Sequence, residues 1–331
     1  MGGRNSLASR LLWVLAIAAV VAAALLLIPI PYIIFGPGAA VDLSAAITVP
    51  SHRSPPGRFY LTDVNILPGR PFFYATAKVL PGFEIIRRRE LVPPSMSDRD
   101  LDRFLVDAMK QSQVNAQIVA ERAAGLPVTA KSSFVVLRTV RKSPGARCFR
   151  PGDKITDVGG RRLVDADSLA KAATALPAGS SFVLGFVRAG RLRHIACATF
   201  KYQGKPRFGI TGQFQTEAYS LPVHVSYRLP NINGSSAGLM FALQIYRSIT
   251  ATDISGGRDV AGTGVLGVDG RVGPIEGARE KIRAAIKSKA SIFFVPVENY
   301  AAIKHVAGID VIPVKSFEQA LGALKRASAT K

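Results

Sequence analysis

Several residue types that build common kinds of site are scarce in this chain of 331 residues. It contains only two cysteines, four histidines and one tryptophan. Two cysteines exclude a disulfide-dense scaffold, and because Cys148 and Cys197 lie far apart in the chain they predict no structural zinc site. We therefore expect neither a metal nor a cofactor. An oxidising compartment would permit a disulfide between them, although the sequence alone leaves this pairing open.

Acidic residues are scarce as well: 22 aspartates and glutamates stand against 43 lysines and arginines, so the net charge is +21. Such an excess is typical of proteins that bind nucleic acid and of proteins that lie on an anionic membrane. The sequence contains no recognisable nucleic-acid motif, so we expect a lipid bilayer as a partner and no nucleic acid. It also lacks a G-x-x-x-x-G-K-[ST] phosphate loop, which predicts a function without ATP hydrolysis.

Charge of either sign is absent between Arg10 and Asp42. The apolar run at 11–35 exceeds the roughly 20 residues that a helix needs to cross the hydrocarbon layer, which predicts a transmembrane anchor. Because basic residues precede the run, residues 1–10 should form a cytoplasmic tail and the rest of the chain should be extracytoplasmic. The alternative is a cleaved signal peptide ending near Ala40, but signal peptides have shorter apolar cores of about 7–15 residues.

Residues 36–125 predict a β-rich segment followed by one long helix. Two runs, 59–67 and 72–80, are rich in strand-forming residues and bounded by proline and glycine, so we predict strands there. A helix is predicted over 97–125, where apolar residues recur on one face and Ser97 opens a capping-box pattern. We expect this face to pack in a core and assign it no further function.

Residues 126–200 predict a separate β-rich domain. The order is a strand at 133–140, a proline-glycine turn, a short strand, a glycine turn, an amphipathic helix and a hairpin. The segment at 143–163, SPGARCFRPGDKITDVGGRRL, resembles bacterial PDZ domains, which bind a peptide as an added strand at a sheet edge. The resemblance implies that the peptide-binding edge is formed by Phe134, Val135 and Val136.

The stretch NINGSSAGLM at 231–240 is the first candidate for chemistry. It follows an alternating, strand-like run at 221–229 and precedes a helical pattern at 237–249, so Ser236 lies where a loop enters a helix. Free backbone N–H groups and the positive end of the helix dipole at such a point stabilise a developing oxyanion. The alternative is that Ser235 or Ser236 simply caps the helix.

The second candidate is Lys281, in the helical pattern at 277–290. It shares the predicted inner face with Ile282, while Glu280 is predicted to point outward. A lysine on an apolar face either extends its amine to solvent or has a function. A lysine that acts as a general base must be neutral. Burial lowers the pKa of a lysine, and each unit of pKa corresponds to about 1.4 kcal/mol of desolvation free energy. These observations alone leave both interpretations open.

Together, the segments 223–238 and 261–296 resemble the proteolytic domain of Lon-type serine peptidases. The first carries Val-His-Val and then Asn-Gly-Ser-Ser-Ala-Gly, where the family has Asp-Gly-Pro-Ser-Ala-Gly. The second carries Gly-Thr-Gly, Pro-Ile-Glu-Gly and Glu-Lys-Ile, in the places of the family's threonine strand, Pro-Ile-Gly-Gly turn and lysine helix. The resemblance implies an α/β proteolytic domain over 201–331.

Carried over residue by residue, the resemblance implies Ser236 as the nucleophile and Lys281 as the general base. Three residues would support this pair: Thr263, which orients the lysine, His224, on the strand beside the cleft, and Asn233, in the place of the family's aspartate. An oxyanion hole would be formed by the backbone N–H groups of Gly234, Ser235 and Ser236.

The order of elements along the whole chain resembles that of bacterial membrane-anchored PDZ–Lon-type peptidases, the YlbL type. It implies an α+β multidomain chain with an N-terminal transmembrane helix, a β-rich PDZ-like domain and a C-terminal α/β domain. The implied function is ATP-independent endoproteolysis of flexible exported peptides or membrane-proximal protein segments, with the PDZ-like domain recruiting or gating the substrate. The oligomeric state is left open, and a homo-oligomer is compatible with the sequence.

Two other functions are compatible with parts of the sequence. Gly234, Ser236 and Gly238 also match the G-x-S-x-G elbow of α/β-hydrolases, in which His305 would be the only histidine after the serine. That elbow requires a strand running directly into the serine, whereas Pro230 and the asparagines after it predict a loop. The non-enzymatic alternative is a membrane-tethered peptide-binding scaffold without activity, in which the serine and the lysine would not need to persist.

Overall fold

The computed structural model describes residues 4–50, 55–92, 97–163, 166–175, 177–202, 204–230 and 232–329. The helices in these ranges are α1 (Arg4–Leu27), α2 (Leu43–Ala46), α3 (Pro71–Val79), α4 (Arg88–Leu91), α5 (Asp98–Ala123), α6 (Pro144–Cys148), α7 (Ala166–Thr174), α8 (Gly238–Thr250), α9 (Ala278–Lys287), α10 (Val297–Tyr300) and α11 (Phe317–Ala329). The strands are β1 (Tyr32–Gly36), β2 (Ala40–Asp42), β3 (Ile47–Thr48), β4 (Phe59–Thr62), β5 (Asn65–Leu67), β6 (Glu84–Arg87), β7 (Thr129–Thr139), β8 (Lys154–Val158), β9 (Arg161–Arg162), β10 (Ser181–Arg188), β11 (Arg191–Ala198), β12 (Phe200–Tyr202), β13 (Lys205–Arg207), β14 (Ile210–Ser220), β15 (Ser226–Tyr227), β16 (Val260–Gly262), β17 (Val265–Leu266), β18 (Val272–Gly273), β19 (Ile292–Pro296) and β20 (Asp310–Val314).

Among the described residues, one helix is long and apolar enough to cross a membrane. It is the stretch Ser9–Leu27 of α1, no part of which is buried against the rest of the protein. The helix ends before Pro29 and Pro31, which cannot continue the backbone hydrogen bonding, and the next residues form the buried strand β1. The apolar helix is therefore shorter than the transmembrane segment predicted at 11–35, because a buried strand and an apolar helix look alike in sequence.

The prediction of a strand at 72–80 was wrong, since this segment forms α3. Pro71 occupies the first turn, where its missing N–H group removes no hydrogen bond. The hydroxyl of Thr76 donates to the carbonyl of Phe72 one turn earlier (2.9 Å). The run at 59–67, in contrast, forms β4 and β5 as predicted. The long helix is confirmed as α5, with the side chain of Ser97 accepting a hydrogen bond from the N–H of Asp100.

The C-terminal α/β domain is built on a five-stranded sheet in the order β2-β4-β16-β19-β20. Strands β4, β16, β19 and β20 run parallel, whereas β2 is antiparallel to β4. Helix α5 packs against α8, and their buried residues belong to one core, which includes Met109, Ala116 and Phe241. The predicted separation of 36–125 from this domain was therefore wrong, because that segment supplies two of its strands and one of its core helices.

A further unit, the small sheet β5-β1-β6, joins α1 to the α/β domain. Its core is formed by Ile33, Phe35 and Val92, with Leu101 of α5 packed against them. The small sheet begins five residues after the last residue of α1.

The β-rich domain has an antiparallel sheet in the order β11-β10-β8-β7-β14, with β9 paired to β8. Its core includes Phe134, Ile155, Leu184 and Phe208, and α7 covers one face through Leu169. Strand β14 lies beyond the predicted boundary at residue 200, so the domain extends to Ser220. The boundary was misplaced because an antiparallel partner can be far away in sequence.

A disulfide joins Cys148 at the end of α6 to Cys197 of β11. The bond settles the pairing that the sequence left open, and it closes a loop of 49 residues that contains β8, β9, β10 and most of β11. Because a cross-link reduces the conformational freedom of the unfolded chain, it stabilises the domain.

We expect the paired substitution Cys148→Ser and Cys197→Ser to lower the stability of the β-rich domain by about 2–4 kcal/mol. Hydrogen exchange followed by mass spectrometry would detect the change as lost protection in peptides from 129–220. Peptides from 238–296 serve as the control, since no described cysteine lies there. Unchanged protection in 129–220 would contradict the prediction.

Candidate active site

Ser236 lies in the turn that leads into α8. The N-terminal cap of this helix is Ala237, and no side chain caps it, so the alternative in which Ser235 or Ser236 serves as a cap was wrong. The turn is instead held by the carbonyl of Ser236, which accepts hydrogen bonds from the N–H of Gly264 (2.7 Å) and the hydroxyl of Thr263 (3.1 Å). These contacts leave the hydroxyl of Ser236 free to face the lysine helix.

Lys281 lies in the first turns of α9, which begins after the left-handed Gly277 (φ +68°). Its side chain is buried, with 3% of the residue surface exposed. The amine Nζ lies 2.8 Å from Oγ of Ser236 and 3.4 Å from Oγ1 of Thr263. The structure therefore brings together the predicted nucleophile, the predicted base and the predicted orienting threonine.

Burial lowers the pKa of Lys281 to about 8, whereas the nearby carboxylates of Asp63 and Glu276 act in the opposite direction. The change from 10.5 to about 8 corresponds to about 3 kcal/mol. A large part of the lysine population is then neutral at mildly alkaline pH, as a general base requires. Asp63 comes from the segment just after β4, and burial raises the pKa of its own carboxyl group.

The predicted oxyanion hole needs one correction. The N–H of Gly234 donates to the carbonyl of Leu105 (2.9 Å), so it does not point toward a substrate. In the ranges that the structure describes, the N–H groups of Ser235 and Ser236 donate to no protein atom. The left-handed conformation of Gly234 (φ +100°) creates the turn that places these two groups ahead of α8.

Four other sequence predictions have different outcomes. Asn233, which the resemblance placed before the nucleophile, lines the pocket beside the serine. His224 does not, because 221–229 alternates between exposed and half-buried residues, and His224 falls on the exposed side, 3.3 Å from the hydroxyl of Ser226. Glu280 was expected on the outer face of α9 but is buried. His305 is exposed and is not among the residues that line the pocket, so the α/β-hydrolase triad is not assembled.

The serine and the lysine open into a cavity of about 290 Å³. Much of its wall comes from the small sheet and from α5, outside the segments in which the sequence suggested chemistry. We call these residues the roof: Ile33, Phe35, Ile66, Leu91, Val92, Leu101, Phe104 and Leu105. All are apolar. Sequence reasoning assigned Ile33 and Phe35 to an anchor, Ile66 to a strand, and the three α5 residues to core packing. Only their three-dimensional position connects these residues with the site.

The predicted peptide-binding edge in the β-rich domain was wrong. Phe134 and Val135 of β7 are paired on one side with β14 and on the other with β8, so this strand has no free edge. The outer strand on this side of the sheet is β14. A groove of about 230 Å³ lies between the start of β14 and α7, lined by apolar residues that include Leu169, Phe208 and Ile210.

With this geometry established, comparison with known proteins gives a consistent result. Residues 193–324 match the C-terminal proteolytic domain of Lon proteases, family S16. This part of the chain is a Lon-type proteolytic domain. The matched range contains Ser236, Thr263 and Lys281, which are the residues that the fold brings together. The proteolytic-domain resemblance inferred from the sequence motifs is thereby confirmed.

Three curated relatives describe the extent of the similarity. Lon protease 2 of Bacillus subtilis is 38% identical over 104 residues, which are 31% of this chain and 18% of that protein. Lon protease of Escherichia coli is 30% identical over 120 residues, 35% of this chain and 15% of that protein. Lon protease 1 of Bacillus subtilis is 27% identical over 217 residues, 63% of this chain and 26% of that protein. The chain thus spans only a minor part of the length of each relative.

Among solved structures, the PDZ domain of an SdrC-like protein from Listeria monocytogenes is 18% identical. The structural match covers 24% of this chain and 85% of that domain, with a TM-score of 0.23.

Proposed function

We propose that this chain is a membrane-anchored serine endopeptidase that works without ATP and uses Ser236 and Lys281 as a catalytic dyad. The observation that carries the proposal is the 2.8 Å separation between Nζ of Lys281 and Oγ of Ser236 in a site where the lysine is buried. The pKa of about 8 makes the amine a base at mildly alkaline pH. The Lon-type domain supports peptide hydrolysis as the reaction class.

In the proposed mechanism, neutral Lys281 accepts the proton of Ser236 as Oγ attacks the substrate carbonyl. The N–H groups of Ser235 and Ser236 donate to the resulting oxyanion. The lysinium then protonates the leaving amine, which breaks the peptide bond and leaves an acyl group on Oγ. Water attacks this ester with Lys281 again as the base. Throughout the cycle, the hydroxyl of Thr263 holds the amine in place.

The proposed substrates are flexible exported peptides and protein segments close to the membrane. Ile33 lines the cavity and lies six residues after Leu27, the last residue of α1. Even a fully extended chain of six residues reaches only about 20 Å. An anchor at Ser9–Leu27 would therefore hold the cavity near the bilayer, with the N-terminus on the cytoplasmic side and the catalytic domain outside.

The β-rich domain is proposed to recruit or gate the substrate through β14 rather than β7. An outer strand offers unpaired backbone groups to an extended peptide, and an adjoining apolar groove accepts its side chains. Strand β14 also runs directly toward the loop that precedes β15 and the catalytic turn. A peptide added to β14 would thus be held on the polypeptide segment that leads to Ser236.

The direct test uses the full chain purified in detergent, with an unstructured internally quenched peptide and no nucleotide. We expect cleavage of an internal peptide bond, identified by mass spectrometry, and no cleavage by the Ser236→Ala variant prepared in the same way. Binding of the peptide without cleavage by the unmodified chain, across pH 6 to 10, would favour the inactive scaffold. Equal cleavage by both proteins would also contradict the proposal.

The roof predicts a preference for large apolar side chains at the position that enters the cavity. Burying such a side chain contributes about 1.5–3 kcal/mol, which corresponds to roughly a 10- to 100-fold higher kcat/KM for leucine or phenylalanine than for aspartate. Phe104→Ala should reduce the advantage of the apolar peptide about tenfold. Val106→Ala, on the outer side of the same helix with 37% exposure, is the matched control. Equal preference in the two variants would contradict this role of the roof.

A further inference from the structure

Helix α3 presents an apolar surface to solvent beside the end of the candidate anchor. Phe72 is 46% exposed and Val79 is 81% exposed, and they lie two turns apart on the same side of the helix. Leu80, directly after the helix, is 52% exposed. The catalytic mechanism uses neither Phe72 nor Val79 nor Leu80. We call Phe72, Val79 and Leu80 the α3 surface.

Two hydrogen bonds fix α3 to the end of α1. The guanidinium of Arg70, the residue before α3, donates to the carbonyl of Leu27 (2.8 Å). The N–H of Ile30 donates to the carbonyl of Gly69 (2.8 Å). The start of α3 is therefore held at the level where α1 ends, and residues of the two helices lie close together.

The length of α1 indicates which part of a bilayer would lie at that level. Ser9–Leu27 contains 19 residues, which rise about 28 Å as a helix and match the roughly 30 Å hydrocarbon layer. If this stretch spans the bilayer, Leu27 lies at the boundary between the hydrocarbon and the headgroups. The beginning of α3 then lies at the same boundary.

Positive charge and aromatic rings occur at the same end of the molecule. Strand register places Arg87 opposite Tyr32, at the membrane-proximal end of β1, and exposed Arg89 follows two residues later. Lys78 lies over the ring of Tyr74 at 5.7 Å, and that ring packs against Tyr32 with centroids 5.0 Å apart. Exposed apolar and aromatic residues surrounded by lysine and arginine are typical of segments in the headgroup region of an anionic bilayer.

We propose that the α3 surface is a second membrane contact, which inserts into the headgroup region of an anionic bilayer beside α1. This inference rests on the anchoring part of the proposed function and adds to it. One helix alone would leave the exported part free to tilt and rotate about its short connection. Two contacts would fix the small sheet, and with it the roof, at one orientation above the membrane. Substrate segments would then enter the cavity from a defined height.

Depth-dependent quenching by brominated lipids tests the contact. The full chain with Trp13→Phe, which removes its single tryptophan, would be reconstituted in phosphatidylglycerol–phosphatidylcholine vesicles. Phe72→Trp then adds one probe, and Val79→Trp gives a second probe at a position exposed enough to accept the ring. Tyr202→Trp in the β-rich domain is the matched control, because Tyr202 is 45% exposed against 46% for Phe72.

We expect lipids brominated on the upper acyl chain to reduce the emission of both α3 probes by about half or more, since interfacial side chains lie ~5–10 Å into the headgroup and acyl boundary. The Tyr202→Trp probe should lose little emission. α3 probes that are quenched no more than the control would overturn the inference. So would an emission blue shift that is insensitive to bromine and disappears on dilution of the protein in lipid, which would indicate a second copy of the chain as the occupant.

Failure of this inference is separable from failure of the proposed function. Flotation of the vesicles reports the anchor: protein that floats without quenching overturns the α3 contact alone, and protein that does not float overturns the anchor and the contact together. Cleavage of a soluble peptide by the same vesicles reports the dyad, and it does not depend on the α3 surface.

Discussion

Ser236→Ala and Lys281→Met should each lower kcat/KM for a flexible peptide by at least about 1000-fold. Residues that act as one catalytic unit show losses of this size, and the losses do not add, so the double variant should be no slower than either single variant. The physical reason is that Oγ is a weak nucleophile until the amine 2.8 Å away takes its proton. Peptide cleavage followed by mass spectrometry measures the effect.

Two controls separate chemistry from folding. Methionine has nearly the volume of the buried lysine side chain and no charge, so Lys281→Met should fold and gain the stability that burial of a protonated amine removes. Ser235→Ala keeps the backbone N–H groups and should retain most of the activity. If Ser235→Ala abolished cleavage while Ser236→Ala did not, the assignment of the nucleophile would be wrong.

The second large effect is on the pH dependence of kcat/KM, which should rise with pH and level off above about 8. Only neutral Lys281 can accept the proton, and its pKa is about 8 because the amine is buried. Activity should therefore fall about tenfold for each pH unit below that value, so the rate at pH 6 should be roughly 50-fold below the rate at pH 8. Initial rates at low substrate concentration give this profile directly.

Substitution of a neighbouring carboxylate tests the direction in which the pKa of Lys281 responds to charge. Asp63 favours the protonated form of Lys281, so Asp63→Asn should lower the pKa of the lysine and move the rising limb to lower pH. Asp269→Asn, which removes a carboxylate that pairs with Arg271 instead, should leave the limb in place. If the rising limb of the unmodified chain were centred near pH 10.5, burial would not lower the pKa of Lys281. If kcat/KM were constant from pH 6 to 8, the lysine would have no part in the mechanism.

Ser236 and Lys281 could be predicted from the sequence because short local patterns indicate both residues. The glycine-rich turn before a helical pattern indicated Ser236, and the helical period placed Lys281 on an inner face. The same period failed for Glu280, which lies beside the lysine but is buried. Periodicity assumes one buried side, but Glu280 also lies close to Glu84 of β6, which belongs to the small sheet and not to the sheet that α9 packs against.

The surroundings of the pair could not be predicted, because they depend on long-range pairing. Nothing near Phe59 in sequence indicates that β4 lies beside β16, some 200 residues later, yet this pairing brings Asp63 to the lysine. The roof is a second example. Phe35 lies in a run with the composition of a membrane span, and Leu105 lies in a pattern typical of a core helix. Strand β14 is a third, since its register with β7 removed the peptide edge that β7 was expected to offer.

The most direct measurement of the central claim is capture of the acyl-enzyme at Ser236. The full chain would be mixed with a peptide ester at pH 9, quenched in acid within the first turnovers, digested and analysed by mass spectrometry. The account predicts an acyl group on Ser236 in the unmodified chain and none in Lys281→Met at the same pH. Acylation of a different residue, or equal acylation of Ser236 with and without the lysine, would contradict it.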